Sequence, residues 1–352
     1  MKVKPVLFEG GGFRDVHVAN STAEKNRVLG TLAIGELIPH LARCDVHICE
    51  PGDHDYDAFL LPISDYKGAV MDMDKPFILN DHRDSGSIMW RSRKALMQGN
   101  VIGMFTPSTL RNPDNQNALW FDETYQGALL YDTFEGFFDP EYYQKGSPSP
   151  FVDPEVIKQK VRLSFSYGHG SLMKSLYNKA PDWDAPRPRD VFFAGTTYYR
   201  RLTPTLHRWA CITELNKYAK AYPKLSIEAA STRKYGYDQY LDEMKKSKIV
   251  VAPWGFGERT FREWEAHLCG CSVVRPNTDW ATTWPDINES HWYTACCPCF
   301  SNLAAVLDAM LETWDETREQ REHHWNTLKR MRDPKVVAAH LAESFHHFGD
   351  SI

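Results

Sequence analysis

One stretch, residues 247–276, limits the possible folds more than any other: S-K-I-V-V-A-P-W-G-F-G-E-R-T-F-R-E-W-E-A-H-L-C-G-C-S-V-V-R-P. Residues 248–252 are a short apolar run rich in β-branched side chains, which predicts a buried parallel strand. Pro253 to Gly257 follow, and Gly255 and Gly257 let the backbone turn tightly and come close to a ligand. Helical spacing then runs over residues 258–269. Gly270 supplies the left-handed residue that ends a helix. Residues 272–275 form the next strand. Strand, loop, helix and strand at this length make a β-α-β unit. Such a unit requires a parallel sheet covered by helices.

A helix that opens behind a parallel strand aims free N–H groups and a positive dipole end at the crevice beyond the strand, where an anion is held. Arg262 and Glu265 are three apart and share one helix face. The guanidinium suits a diphosphate through two parallel hydrogen bonds, and the carboxylate suits the hydroxyls of a ribose. Glu258 stands at the expected helix start. In isolation, Arg-x-x-Glu describes any surface ion pair. Here the glycine loop before it, Ala266, and Gly270-Cys271 after it point to a nucleotide-sugar site.

On these residues the segment resembles the donor-binding helix of GT-B glycosyltransferases. Arg262-x-x-Glu265-Ala266 with Gly270-Cys271 resembles the exostosin group. Arg262-Glu263-Trp264-Glu265 is similar to the phage DNA β-glucosyltransferase family. The retaining pattern of GT-B enzymes has two glutamates eight positions apart. Glu258 and Glu265 are seven apart, with Gly257 in the expected first position, and this departure implies an inverting enzyme. The resemblance implies a UDP-sugar as co-substrate and no required cofactor or metal.

The chain has 352 residues, 42% of them hydrophobic, enough for about two domains. Its net charge of −5 argues against a protein that coats nucleic acid but leaves room for an enzyme with one basic cleft. No apolar run is long enough to span a bilayer, so no membrane partner is expected. No leader-like segment opens the sequence. A cytoplasmic location is expected, in the host cytoplasm if the source is a virus or phage. Eight cysteines in a chain this long do not make a disulfide framework. Cys296, Cys297 and Cys299 lack the second spaced pair that zinc wants, and are expected to be reduced, mostly buried thiols.

In chain order, residues 3–8 predict a first strand. The triple glycine that follows makes Gly11 and Gly12 acceptor-binding candidates in a loop; the alternative is a flexible turn. A helix is expected over about 21–43, and strands over 45–49, 58–62 and 76–79. Asp81 follows the last of these, where a parallel sheet binds its ligands. An inverting transfer needs a base to deprotonate the attacking hydroxyl, and Asp81 is the candidate. His82, Arg83 and Asp84 stand beside it as acceptor-binding candidates, although Asp84 is also placed to cap the helix expected up to about residue 98. The phage family carries its catalytic aspartate in a similar strand-Asp-x-Arg context. Arg83, Arg91, Arg93, Lys94 and Arg111, interleaved with Trp90 and Trp120, fit either a nucleic-acid backbone or a solvated helix face. Asp72-Met73-Asp74 is expected to be a turn, not a metal motif.

The proline-rich stretch 180–189 is the expected linker. A second α/β unit starts at about residue 190. Gly195 and Thr196, then Arg200 and Arg201, follow its first strand and are further donor-binding candidates. Their hydroxyl and paired arginines suit a diphosphate, and a solvated turn is the alternative. The expected fold class is α/β: two doubly wound, Rossmann-like domains facing a cleft (GT-B). Residues 1–185 would bind the acceptor and 186–340 the nucleotide-sugar. Residues 341–352 would form a helix packing back on the first domain. The expected function is inverting transfer of a sugar to a hydroxyl, with a hydroxymethylated pyrimidine in double-stranded DNA the favoured acceptor. Transfer to a glycan or small molecule is one alternative, and a non-catalytic nucleotide- or sugar-binding regulator the other.

Overall fold

The computed structural model describes residues 1–9, 12–15, 34–62, 75–81, 90–111, 152–164, 174–199, 202–231, 235–255, 260–278, 281–287, 291–297 and 299–352. The expectations for Gly11, Asp72-Met73-Asp74, His82, Arg83, Asp84, Trp120, Arg200, Arg201, Gly257 and Glu258 lie outside the described residues.

The first half builds one sheet. Its strands are β1 (Lys2–Glu9), β2 (Gly12–Asp15), β3 (His47–Ile48), β4 (Ala58–Pro62), β5 (Phe77–Asn80), β6 (Val101–Thr106) and β8 (Val161–Leu163), while β7 (Ser108–Leu110) leaves it. They run β2-β1-β4-β5-β6-β8, with β3 also paired to β1. The β1–β2 pairing is antiparallel and the rest are parallel. Gly12 therefore sits in a hairpin strand opposite Glu9, not in the loop expected for it. Strand β6, which the sequence reading leaves unassigned, has all six residues buried. Its continuous apolar pattern fits a strand covered on both faces.

Helices cover both faces. Helices α1 (Ile34–Ala42), α2 (Trp90–Leu96), α3 (Pro154–Lys160) and α4 (Lys174–Asn178) belong to this half of the sequence. Phe59, Leu61, Phe77, Leu79 and Met104 meet Ala95, Leu96 and Ile157 on one side. On the other, Val3, Leu60, Ile78 and Phe105 meet Leu37 and Leu41. Alternate strand residues thus feed opposite cores, as the two-residue period demands.

The second half repeats the plan. Strands β9 (Arg189–Ala194), β10 (Ile227–Ala230), β11 (Ser247–Val251), β12 (Ser272–Pro276) and β14 (Thr294–Cys296) form a parallel sheet in the order β10-β9-β11-β12-β14. Helices α5 (Leu202–Ala221), α6 (Tyr237–Lys245), α7 (Phe261–Leu268), α8 (Leu303–Glu312), α9 (Arg318–Met331) and α10 (Pro334–Gly349) follow in the chain. One face of the sheet packs Val250 and Val273 against Leu241, Trp264 and Leu328. The other packs Val191, Ile249 and Val274 against Cys211, Leu215 and Leu307. The chain is therefore α/β with two doubly wound parallel sheets. The stretch 180–189 is no free crossing: Arg187 donates to the carbonyls of Ser247 and Cys269 at 2.7 and 2.8 Å.

Two features join the halves. Helix α10 returns to the first sheet, where Val337, Leu341, Phe345 and Phe348 enter the core of Val3, Leu41 and Phe105. A Cβ at Gly103 would lie 2.4 Å from the Phe348 ring, so β6 needs glycine there to let the helix approach. In addition, β7 pairs antiparallel with β13 (Ala281–Thr283), and Arg111 bridges to Asp286 at 2.7 Å. β7 begins two residues after β6 ends, and β13 five residues after β12 ends. At about 3.3–3.6 Å per extended residue, the pairing holds the carboxyl edges of both sheets on a common side.

Candidate functional site

Helix α7 begins at Phe261, three residues later than the apolar spacing predicts. Thr260 is its N-cap, and the backbone N–H of Thr260 donates to Glu263 Oε1 at 3.3 Å, half of a capping box. Glu263 also bridges to Arg275 on β12 at 2.5 Å, with both side chains 1% exposed, which fixes the helix against the sheet. At the far end Gly270 has φ +75°. The N–H of Cys271 reaches Ala266 O at 2.9 Å and that of Gly270 reaches His267 O at 3.0 Å, the paired bonds of a Schellman motif.

So anchored, α7 turns Arg262 toward the carboxyl edge of the second sheet. Arg262 is 8% exposed. Its Nη2 donates to Ala194 O at 2.8 Å, at the last residue of β9. Its guanidinium lies 4.7 Å from the centre of the Phe193 ring. Among the described residues its Nε and Nη1 are buried with no hydrogen-bond partner. A Cβ at position 195 would lie 2.4 Å from Nη2, so Gly195 is what admits the guanidinium. Thr196, next to it, is exposed.

A second arginine, which the sequence reading misses, completes the cluster. Arg208, on α5, donates from Nε to Trp254 O and from Nη1 to Thr196 O, both at 2.9 Å. It thereby clips the loop after β9 to the loop after β11. A Cβ at Gly255 would lie 3.3 Å from Arg208 Nη2, which explains one of the two glycines there. Burial, and then the charge of Arg262, push the Arg208 pKa down to about 10. Two arginines are thus buried side by side, and the donors left on Arg262 can take an anion.

Glu265, 5% exposed, lies on the same face of α7. Its Oε1 accepts from the Tyr237 hydroxyl at 2.9 Å and its Oε2 from that of Tyr240 at 3.1 Å. Burial raises its pKa, while Tyr237, the charge of Arg262 and Tyr240 oppose the rise. Each oxygen keeps acceptor capacity beyond its phenol.

In the first sheet Asp81 directly follows β5, as expected. It is 5% exposed, accepts from Ser92 Oγ at 2.7 Å, and its N–H donates to Phe105 O at 2.8 Å. The structure thus brings Arg262, Glu265, Gly195, Thr196 and Gly255 together at one sheet edge, and sets Asp81 at the matching edge of the other. The basic stripe divides: Arg93 is 2% exposed, whereas Lys94 and Arg111 are exposed, Arg111 pairing with Asp286. Among the described residues no cluster of three or more His, Cys, Asp or Glu is arranged for a metal, and no helix is long and apolar enough to cross a membrane.

No family model and no curated protein matches the chain. Solved structures that match include an alpha-glucosyltransferase in complex with UDP-glucose and DNA containing an abasic site: 11% identity, 84% of this chain and 81% of that one covered, TM-score 0.42. An alpha-glucosyltransferase in complex with UDP matches at 11% identity, with 86% of each chain covered and a TM-score of 0.42. A glycosyltransferase from Rickettsia africae matches at 12% identity over 99% and 97% of the two chains, with a TM-score of 0.43. These superpositions are loose, and the chemistry of the site rests on the side chains described above.

Proposed function

We propose that the protein is a glycosyltransferase that moves a sugar from a nucleotide-sugar, a UDP-sugar, to a hydroxyl acceptor. One observation carries this reading: the Arg262 guanidinium is buried beside Arg208 at the end of β9, with two of its nitrogens unpartnered among the described residues. A diphosphate would supply the missing acceptors, and the pair would then steady it as leaving group, the task a metal performs in other enzymes. Glu265 would take the ribose, and Gly195, Thr196, Gly255, Gly257 and Glu258 would line the donor, with Arg200 and Arg201 further candidates.

In the same proposal residues 1–185 serve the acceptor, 186–340 the donor, and 341–352 tie the two. Asp81 is the base of an inverting displacement. It takes the proton of the acceptor hydroxyl as that oxygen attacks the anomeric carbon and the nucleoside diphosphate departs. Gly11, Gly12, His82, Arg83 and Asp84 are the acceptor-side candidates. The favoured acceptor is a hydroxymethylated pyrimidine in DNA, by the resemblance of the sequence around Asp81 and Arg262, with a cytoplasmic setting.

Labelled UDP-sugars offered with hydroxymethylated DNA, unmodified DNA and oligosaccharides test this. Label is expected in the hydroxymethylated DNA alone. Label in oligosaccharides alone would overturn the acceptor, and nucleotide-sugar binding without transfer or hydrolysis would overturn the enzyme.

A further inference from the structure

The three neighbouring cysteines after β12 separate into two kinds. Cys296 ends β14, is 4% exposed and belongs to the core, and burial raises its thiol well above the usual range. Cys297 and Cys299 lie in the following turn and are half-buried, with their sulfurs 3.0 Å apart. The N–H of Ser301 donates to Cys297 Sγ at 3.1 Å, and the Ser301 hydroxyl lies 3.2 Å from both sulfurs. Burial acts to raise the Cys297 thiol, but the hydrogen bonds from Cys299, Ser301 and Asn302 outweigh it and leave the pKa lowered.

The turn is tightly built. Phe300 is fully buried at φ +61°, a left-handed conformation that is costly for an aromatic residue. Its N–H donates to Cys297 O at 2.9 Å. Its ring lies 4.9 Å from that of His207, which stacks on Trp254 at 4.7 Å. The dithiol thus backs onto the loop that carries Gly255.

We propose that Cys297 and Cys299 are an oxidisable dithiol that small-molecule disulfides close to an intramolecular disulfide, and that closure is relayed through Phe300 and His207 to Trp254. The Cys297 thiolate attacks one sulfur of the reagent disulfide. That S–S bond breaks, one thiolate leaves, and a mixed disulfide forms on Cys297. The Cys299 thiolate then attacks the Cys297 sulfur and expels the second reagent thiolate. The protein loses two electrons and two protons, and the reagent gains both as two thiols. The buried thiol of Cys296 takes no part.

The test treats the reduced full-length protein with glutathione disulfide, quenches it by alkylation and maps the peptides by mass. The expected product carries an unalkylated peptide two hydrogens lighter that spans Cys297 and Cys299. Cys299→Ser should stop at the glutathione adduct on Cys297. Cys297→Ser should likewise form no intramolecular disulfide and stop at the adduct on Cys299. A cross-link through Cys296 or between molecules, or an intramolecular disulfide that persists in either variant, would overturn the dithiol. The oxidised-minus-reduced near-ultraviolet dichroism should show a tryptophan band that Trp254→Phe removes, and a band unchanged in that variant would overturn the relay.

Discussion

Replacing Arg262 with methionine separates a binding arginine from a structural one. In the free protein the substitution removes one charge-assisted hydrogen bond, Nη2 to Ala194 O, about 1.5–3 kcal/mol. It also removes the contact with the Phe193 ring, about 0.5–2 kcal/mol. Against these, it relieves two buried donors unpartnered among the described residues, Nε and Nη1, at about 1–3 kcal/mol each. The terms nearly cancel, so stability should change by about 1 kcal/mol or less, a few degrees at most in Tm. Binding of UDP should respond very differently. Two charge-assisted bonds to the diphosphate disappear, costing about 3 kcal/mol or more, roughly 150-fold in Kd. Thermal melts and calorimetric titration of UDP into wild type and Arg262→Met read the two quantities. A Tm loss well beyond about 5 °C with unchanged UDP affinity would refute the reasoning and make Arg262 a packing residue.

Asp81→Asn should keep UDP affinity and lower turnover roughly 10³-fold, and unchanged turnover would remove Asp81 from the chemistry. His324 is buried against Trp292 and His267. Burial first, then His291 and His323, push its pKa from 6.5 down to about 4. Because this folded-state value lies below the unfolded one, the stability it contributes is fully present above pH 6.5 and lost as pH falls toward 4, about 3 kcal/mol over that window. His324→Gln should flatten that limb of the stability curve, and an identical acid limb would count against the assignment. Phe348→Ala, although near the end of the chain, should cost about 3–5 kcal/mol by chemical denaturation, because the ring fills the first sheet's core against Gly103 and Phe105. A loss under about 1 kcal/mol would mean that α10 is only loosely docked.

The local pattern around α7 was legible because period and punctuation agree there: a β-branched strand, two glycines, a 3.6-residue stripe and a left-handed glycine. Helical spacing alone starts α7 at residue 258, three residues early, because the boundary is set instead by Thr260 as N-cap and Glu263 bonded back to its N–H. Arg208 was illegible for a different reason. It lies in an ordinary helical stretch, and its importance appears only when β9 and β11 become neighbours and bring Thr196 and Trp254 within its reach. Arg93 shows the reverse error: a basic residue among basic neighbours suggests a solvated face, yet its helix register turns it inward. The β7–β13 pair, three residues on each side, is too short to announce itself by periodicity. It nevertheless decides that the two carboxyl edges share a side.

The measurement that bears most directly on the central claim is a crystal structure of the protein soaked with UDP. The account predicts the diphosphate at the end of β9, within hydrogen-bond distance of Arg262 Nε or Nη1 and beside Arg208. UDP seated elsewhere, with both arginines untouched, would contradict it.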